Sequence, residues 1–278
     1  MSDSVESGAA LETIQSLERI ELEAWHEMYA AATPEVVSAL GMSWSLFDGA
    51  LAIRMAARES LLHNRVIGLG VFEPATAQTL DRVRDFFAGI GGHAVNLPPV
   101  TDPPLLHEQL RARAYASFFH HVKWVRGTQP ATSAPTGLRI ERVRAKQAAL
   151  YGELAARITI EGLGAHAAWV ASHVGLPRWR HYLAWDGATP VAGAALHASG
   201  AGAWLGAAST LESHRGRGAQ SALLAARITD AIAAGAQALV VETGPNWPEL
   251  DTVSYRNVER AGFRVAYERP SWIFPVPA

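Results

Sequence analysis

His214-Arg215-Gly216-Arg217-Gly218-Ala219-Gln220 is the stretch on which the reading of this chain turns. An apolar, strand-like run, Ala203 to Leu211, leads into it, and a helix-like run, Ser221 to Ala234, leaves it. Two glycines flanking an arginine let the backbone turn tightly and present bare N–H groups. A helix that starts there adds its unpaired first-turn amides and the positive end of its dipole. Together these make a phosphate cradle. Arg215 and Arg217 add permanent positive charge that suits phosphate. The alternative is an ordinary glycine turn between a strand and a helix. Two common nucleotide loops are excluded. No lysine stands where G-x-x-x-x-G-K-[ST] needs one, and position 221 is Ser where G-x-G-x-x-G needs a third glycine.

The order R-G-R-G-A-Q, after a strand and before a helix, resembles the coenzyme A pyrophosphate loop of the GNAT superfamily of N-acetyltransferases, written [QR]-x-x-G-x-[GA]. Arg215 takes the first place and Gly218 the fourth, and Gln220 stands where Gly or Ala is usual. The resemblance runs from 138 to 274. Leu138 to Val143 reads as a first strand and Ala145 to Ile160 as a helix, with Ala149, Leu150, Leu154 and Ile158 at helical spacing. A shorter helix, His166 to Val174, follows. Trp179 to Trp185 and Val191 to His197 flank the hairpin turn Asp186-Gly187. Ala238 to Thr243 is an apolar strand with Glu242 near its end. A helix ending in Ala261-Gly262-Phe263 and a last strand, Arg264 to Phe274, complete the order.

The resemblance implies an α/β (α+β) fold with a mixed central sheet flanked by helices. It also implies acetyl-CoA as co-substrate, held at Arg215, Gly216, Arg217, Gly218, Ala219, Gln220 and Ser221. Ser209, Thr210 and Leu211 fall on the strand whose amides hold the pantetheine arm in the family, and Asn257 is assigned a hydrogen bond to that arm. Acetyl transfer to an amine needs a base for the ammonium proton, a preorganised donor for the oxyanion and an acid for the leaving thiolate. Glu242 is the first candidate base. Glu212, His214 or a water chain remain alternatives, as does a structural role for Glu242. The family often places a Tyr four residues before the Gly of the Gly-Phe pair, but Val258 stands there. Tyr255, one turn earlier, shares that helix face and is the candidate acid, with core packing as its alternative.

The first half resembles a degenerate copy of the same fold, which makes the chain a tandem of two such folds, with an unrelated α+β domain as the alternative. Leu11 to Ala31 has helical periodicity, with Ile14, Leu17, Ile20, Leu22 and Trp25 broadly on one side. Ala50 to Ala56 and Arg65 to Phe72 read as paired strands, Pro74 to Ala88 as a helix led by proline, His93 to Val100 as a strand and Pro104 to Ala114 as a helix. Ala116 to Arg126 reads as an aromatic-rich strand. Where the cradle would fall stands Leu69-Gly70-Val71-Phe72-Glu73-Pro74-Ala75-Thr76, and proline has no amide to donate. No coenzyme is therefore expected there. The expected domains are 1–127, a linker at 128–137 rich in Pro, Thr and Ser, and the acetyltransferase domain at 138–278.

Composition agrees. At 278 residues with 49% hydrophobic content, one large or two small domains are expected. A net charge of −2 speaks against a nucleic-acid partner. No cysteine exists for a disulfide, a thiolate metal site or a nucleophile. No apolar run reaches a membrane-spanning length of about 18 residues. The acidic start lacks a signal-peptide pattern, so a cytoplasmic location is the expectation. Lys123 and Lys146 are the two lysines. His166, His173, His181 and His197 have no metal-ligand spacing, so no metal is expected. The acceptor is an amine on a small molecule or a protein, and a homodimer stays open. A non-catalytic module that binds acyl-CoA, as sensor or structural partner, is the second functional reading.

Overall fold

The sequence periodicities become a run of short elements, seen in a computed structural model that describes residues 2–99, 103–132, 135–159, 164–246 and 253–275. In chain order they are α1 (Ser2–Ala30), α2 (Pro34–Leu40), β1 (Met42–Phe47), β2 (Ala50–Met55), β3 (Arg65–Ile67), α3 (Ala77–Phe86), β4 (His93–Asn96), α4 (Pro103–Ala112) and β5 (Ala116–Arg126). The second half continues with β6 (Arg139–Arg142), α5 (Ala148–Thr159), α6 (Ala165–Ser172), β7 (Trp179–Asp186), β8 (Thr189–Ser199) and β9 (Gly202–Thr210). It closes with α7 (Ala219–Ala233), β10 (Ala238–Thr243), α8 (Val253–Arg260) and β11 (Arg264–Phe274). Val100, Ile160 and Trp247 lie outside the described residues.

The chain forms two compact units. Unit 1 comprises Met1–Tyr29, Val37–Lys123 and Ala266–Ala278; unit 2 comprises Ala30–Val36 and Trp124–Val265. This division departs from a single cut at the linker. Residues 266–278 go with the first unit, and Trp124–Arg126 go with the second. The reason is strand pairing. β11 pairs antiparallel with β4, from Ser271 opposite Asn96 to Phe274 opposite His93.

In unit 1 the strands run β1-β2-β3-β4-β11-β5. β3 and β4 are parallel, as a strand–helix–strand crossover requires. Phe47, Val66, Leu80, Phe87, Val95, Leu110 and Trp272 fill its core. Arg65 to Phe72 makes only a three-residue strand, because Gly68 turns the chain at φ 78. Across the sheet lies α1, and its Glu18 and Glu21 are buried. Glu18 takes Arg269 at 2.9 Å, Lys123 at 3.3 Å and the Tyr267 hydroxyl at 2.7 Å. Glu21 takes Arg65 at 3.2 Å, Arg269 at 3.0 Å and Lys123. Burial alone raises the Glu21 pKa, but Arg269, Lys123 and Arg65 hold its carboxyl far below the usual carboxylate range. Removing one partner of such a buried pair costs about 3–5 kcal/mol, since a bare charge remains.

In unit 2 the order is the end of β5, then β10-β9-β8-β7-β6. β9 and β10 are parallel, and β6 through β9 are antiparallel neighbours. α7 buries Leu223, Leu224, Ile228 and Ala231 at helical spacing.

Candidate functional site

β9 and β10 begin as partners and then part. Their parallel register runs from Gly202–Ala238 to Trp204–Val240 and stops. On its other edge β9 stays with β8 as far as Thr210. A bulge interrupts that pairing: Gly193 faces Ser209 and Ala195 faces Gly206, so Ala207 and Ala208 oppose Ala194 alone. Ala207 sits at φ 47, a left-handed backbone that costs an alanine about 1–2 kcal/mol. Ala207 and Ala208 are exposed in mid-strand, on the edge that β10 has left.

The bulge strand decides which amides are available. Leu211 N–H already donates to Val191 O at 2.9 Å. N–H directions alternate along an antiparallel strand, so the Thr210 N–H points toward the gap and the Ser209 N–H away from it. Of the three residues expected to hold a pantetheine arm, Thr210 is the one with its amide turned to the opening.

After β9 the chain makes a single 3₁₀ turn, Glu212–His214, and extends at Arg215. Gly216 and Gly218 take φ 77 and 81. Gly218 caps α7 without any side-chain hydrogen bond, and the first helical bond is Ala222 N–H to Gly218 O at 3.1 Å. The amides of Ala219, Gln220 and Ser221 therefore have no intrahelical acceptor. A Cβ at Gly216 would meet nothing within 4 Å, and one at Gly218 would lie 3.3 Å from Thr136 Cβ. Bare amides, a dipole end and glycine backbone are the donor set a diphosphate needs.

Side chains brace this loop. The Arg217 guanidinium donates to Asp186 Oδ2 at 2.6 Å, and His214 Nε2 lies 3.3 Å from the same oxygen. The Arg217 hydrogen bond lowers the Asp186 pKa and, in return, raises that of Arg217. Thr136, in the stretch read as a linker, donates its hydroxyl to Arg217 O at 2.8 Å. Gln220, the departure from the family pattern, donates to Thr210 Oγ1 at 2.8 Å and so ties the helix start to the strand end. Arg215 is exposed.

Glu242 is half-buried on β10, on the opposite face of the sheet from Thr243 because strand side chains alternate. Thr243 Oγ1 accepts from Trp124 Nε1 at 2.9 Å. The Trp124 ring meets the Tyr255 ring edge-on, centroids 4.6 Å apart. Sequence reading missed Trp124, which arrives from the end of β5; the aromatic run Phe118 to Trp124 was its one signal. Val258 is buried and Asn257 is half-buried on the same helix. The four histidines singled out by sequence are all core residues of unit 2. His173 Nδ1 and His181 Nε2 lie 3.2 Å apart, and burial drives the His181 pKa down to about 3. Among the described residues there is no group of three or more metal-binding side chains, and no helix is long and apolar enough to cross a membrane.

No family model matches the sequence, and comparison with curated proteins finds no match. Solved structures do match. A GCN5-related N-acetyltransferase from Kribbella flavida superposes with a TM-score of 0.60 at 14% identity, over 94% of this chain and 96% of that one. A tandem GNAT protein from the clavulanic acid biosynthesis pathway gives 0.54 at 12% identity, over 95% of both chains. A GCN5-related N-acetyltransferase from Sphaerobacter thermophilus gives 0.52 at 13%, over 80% of this chain and 72% of that one. At these identities the likeness speaks to architecture: the chain has a mixed α/β, tandem GNAT fold.

Proposed function

We propose that the chain is an acetyl-CoA-dependent N-acetyltransferase that transfers the acetyl group directly to a primary amine. One observation carries this reading: β9, parted from β10, leads through a single 3₁₀ turn and a glycine loop into the uncapped start of α7. An arm inserted between the strands then has its diphosphate at the helix end. The amides from Gly216 to Ser221 and the Arg215 side chain hold the diphosphate, and Asn257 bonds the arm. Acetyl-CoA, when bound, supplies an activated thioester. The Thr210 amide donates to its carbonyl oxygen, where charge develops. Glu242 takes the amine proton, directly or through water. Tyr255, its ring set by Trp124, returns a proton to the departing sulfur. Without a cysteine to carry the acetyl group, a ternary complex is the route. Unit 1 is proposed to bind no coenzyme.

Calorimetry with coenzyme A, and thiol release from acetyl-CoA across a panel of primary amines, test this. One site per chain and an acetylated amine are expected. Two sites per chain overturn the role given to unit 1, and no binding overturns the whole reading. Binding without transfer to any amine leaves the second reading, an acyl-CoA-binding sensor or structural module. The buried Val258, at the family's tyrosine position, favours that reading.

A further inference from the structure

α7 carries a second feature besides the cradle. Two turns below its start, Arg227 turns inward and is 3% exposed. Its Nε donates to Leu223 O at 3.2 Å, within the helix. Its Nη1 reaches the sheet, 3.2 Å from Ala195 O and 3.3 Å from Gly206 O. Those two residues face each other across β8 and β9 at the mouth of the bulge. Burial is the main cause that lowers its pKa to about 10, so the side chain stays charged at neutral pH. Among the described residues no carboxylate pairs with it.

A buried guanidinium with no counter-ion is costly to keep. Its hydrogen bonds all go to backbone carbonyls, and two of these belong to the residue pair that borders the bulge. Next to Gly206 stands Ala207 in its strained, left-handed backbone, a conformation that persists only where its surroundings hold it. Gly206 itself is required, since a Cβ there would overlap the Trp204 ring at 2.0 Å. The elements line up: one helix presents phosphate-facing amides at its end and, two turns on, clamps the strand segment that opens beside the gap.

We infer that Arg227 is a positioning residue, holding the β9 bulge in the shape that presents residues 207–210 to the acyl end of a bound thioester. The inference rests on the acetyltransferase reading but is tested separately from it.

The test is amide hydrogen exchange on the full chain, free and with acetyl-CoA, for the parent, Arg227→Met and Arg227→Lys, each first shown folded by a cooperative thermal transition. In free Arg227→Met, the Ser209 amide, the one in this segment turned toward β8, is expected to exchange about tenfold faster or more, the scale of one charge-assisted hydrogen bond. Acetyl-CoA is expected to protect the cradle amides 216–221 as in the parent, while 207–210 lose their protection. Lysine, which keeps the charge and one donor direction, restores part of it. If Arg227→Met fails to fold, Arg227→Lys carries the same reading at intermediate size. Parent-like exchange and protection at 207–210 in a folded variant overturn the inference. So does equal loss at both segments, which makes Arg227 a general support of the helix. Acetyl-CoA that protects neither segment in the parent overturns the acetyltransferase reading instead, while the exchange of the free variants still decides whether Arg227 holds the bulge.

Discussion

Two helices of this protein begin after a pair of left-handed glycines, and they begin differently. In unit 1, Gly68 and Gly70 take φ 78 and 75; in unit 2, Gly216 and Gly218 take φ 77 and 81. α7 starts at once on Gly218 with no side-chain cap. α3 starts six residues later, and Thr76 closes its end. The Thr76 hydroxyl accepts from Thr79 N–H at 3.1 Å, and the Thr79 hydroxyl accepts from Thr76 N–H at 3.0 Å. The Thr79 hydroxyl in turn donates to the Asp48 carboxylate. The intervening loop is pinned by Gln15, which donates to Val71 O at 2.8 Å. Phe72 lies against Gly49 and Gly68, with the Arg19 guanidinium 4.7 Å above its ring. One helix end has satisfied itself and acquired its own carboxylate; the other leaves its amides and its dipole without a side-chain cap. The turn geometry is shared, so the capping chemistry is what separates the closed helix end from the one proposed to bind the diphosphate.

The strands after these helices differ in the same sense. β10 carries Glu242 beside the opening, whereas β4 ends in Asn96, buried and donating to Ser271 Oγ at 2.7 Å. The largest effect is therefore expected from Glu242→Gln, which keeps size and removes the proposed base. Acetyl transfer should fall by roughly 10²–10⁴-fold, with coenzyme affinity little changed. A parent-like rate would assign proton removal to Glu212, His214 or water. Gly218→Val comes next. It forces a β-branched residue into φ 81 and against Thr136, at a strain on the order of 1–3 kcal/mol, and it crowds the diphosphate. Affinity by calorimetry should drop by roughly 10²-fold. Arg215→Ala should weaken coenzyme binding by about 1.5–3 kcal/mol, one charge-assisted contact.

Thr76→Ala inverts the comparison. It should lower stability to denaturant by about 1 kcal/mol and leave coenzyme binding untouched; a second binding site appearing in this variant would mean that the cap alone had silenced unit 1. The smallest change is expected from Asp186→Asn, which frees Arg217 to turn to phosphate. Coenzyme affinity should rise slightly at low salt, and the gain should fade as salt screens an exposed pair.

Much of this contrast was legible in the sequence, because glycine, proline and apolar spacing act locally. The cradle, its flanking strand and helix, and the order of elements in the second half follow from such signals. The limits are instructive. On α1 the apolar stripe gave Leu17, Ile20 and Trp25, all buried, but it gave no sign that Glu18 and Glu21 are buried with them. Their partners lie on distant strands, so their burial is a property of the tertiary fold alone. Arg227 would pass for a solvated helix arginine by the same logic. Pro34 to Phe47, which forms α2 and β1, was not read as structure. Thr136 sits in a stretch whose composition says linker, although its hydroxyl braces the cradle. The exchange of strand ends between units was invisible, since β5 and β11 look alike as strands and only pairing decides where each belongs.

The ion cluster of unit 1 sets an order of events during synthesis. Arg269 bonds Glu18 across 251 positions of sequence, so α1, once translated, waits for β11. At translation speeds of about 5–20 residues per second, that interval is roughly 12–50 s. Through it, Glu18 and Glu21 have no Arg269 to meet, and β4 lacks its β11 neighbour. The N-terminal unit, made first, is thus the one finished last, and the strand segments and helices of unit 2 have all emerged before it can close. A ribosome stalled short of Arg269 would carry a first unit that is incomplete at its most polar point, open to proteases and chaperones for as long as the stall lasts.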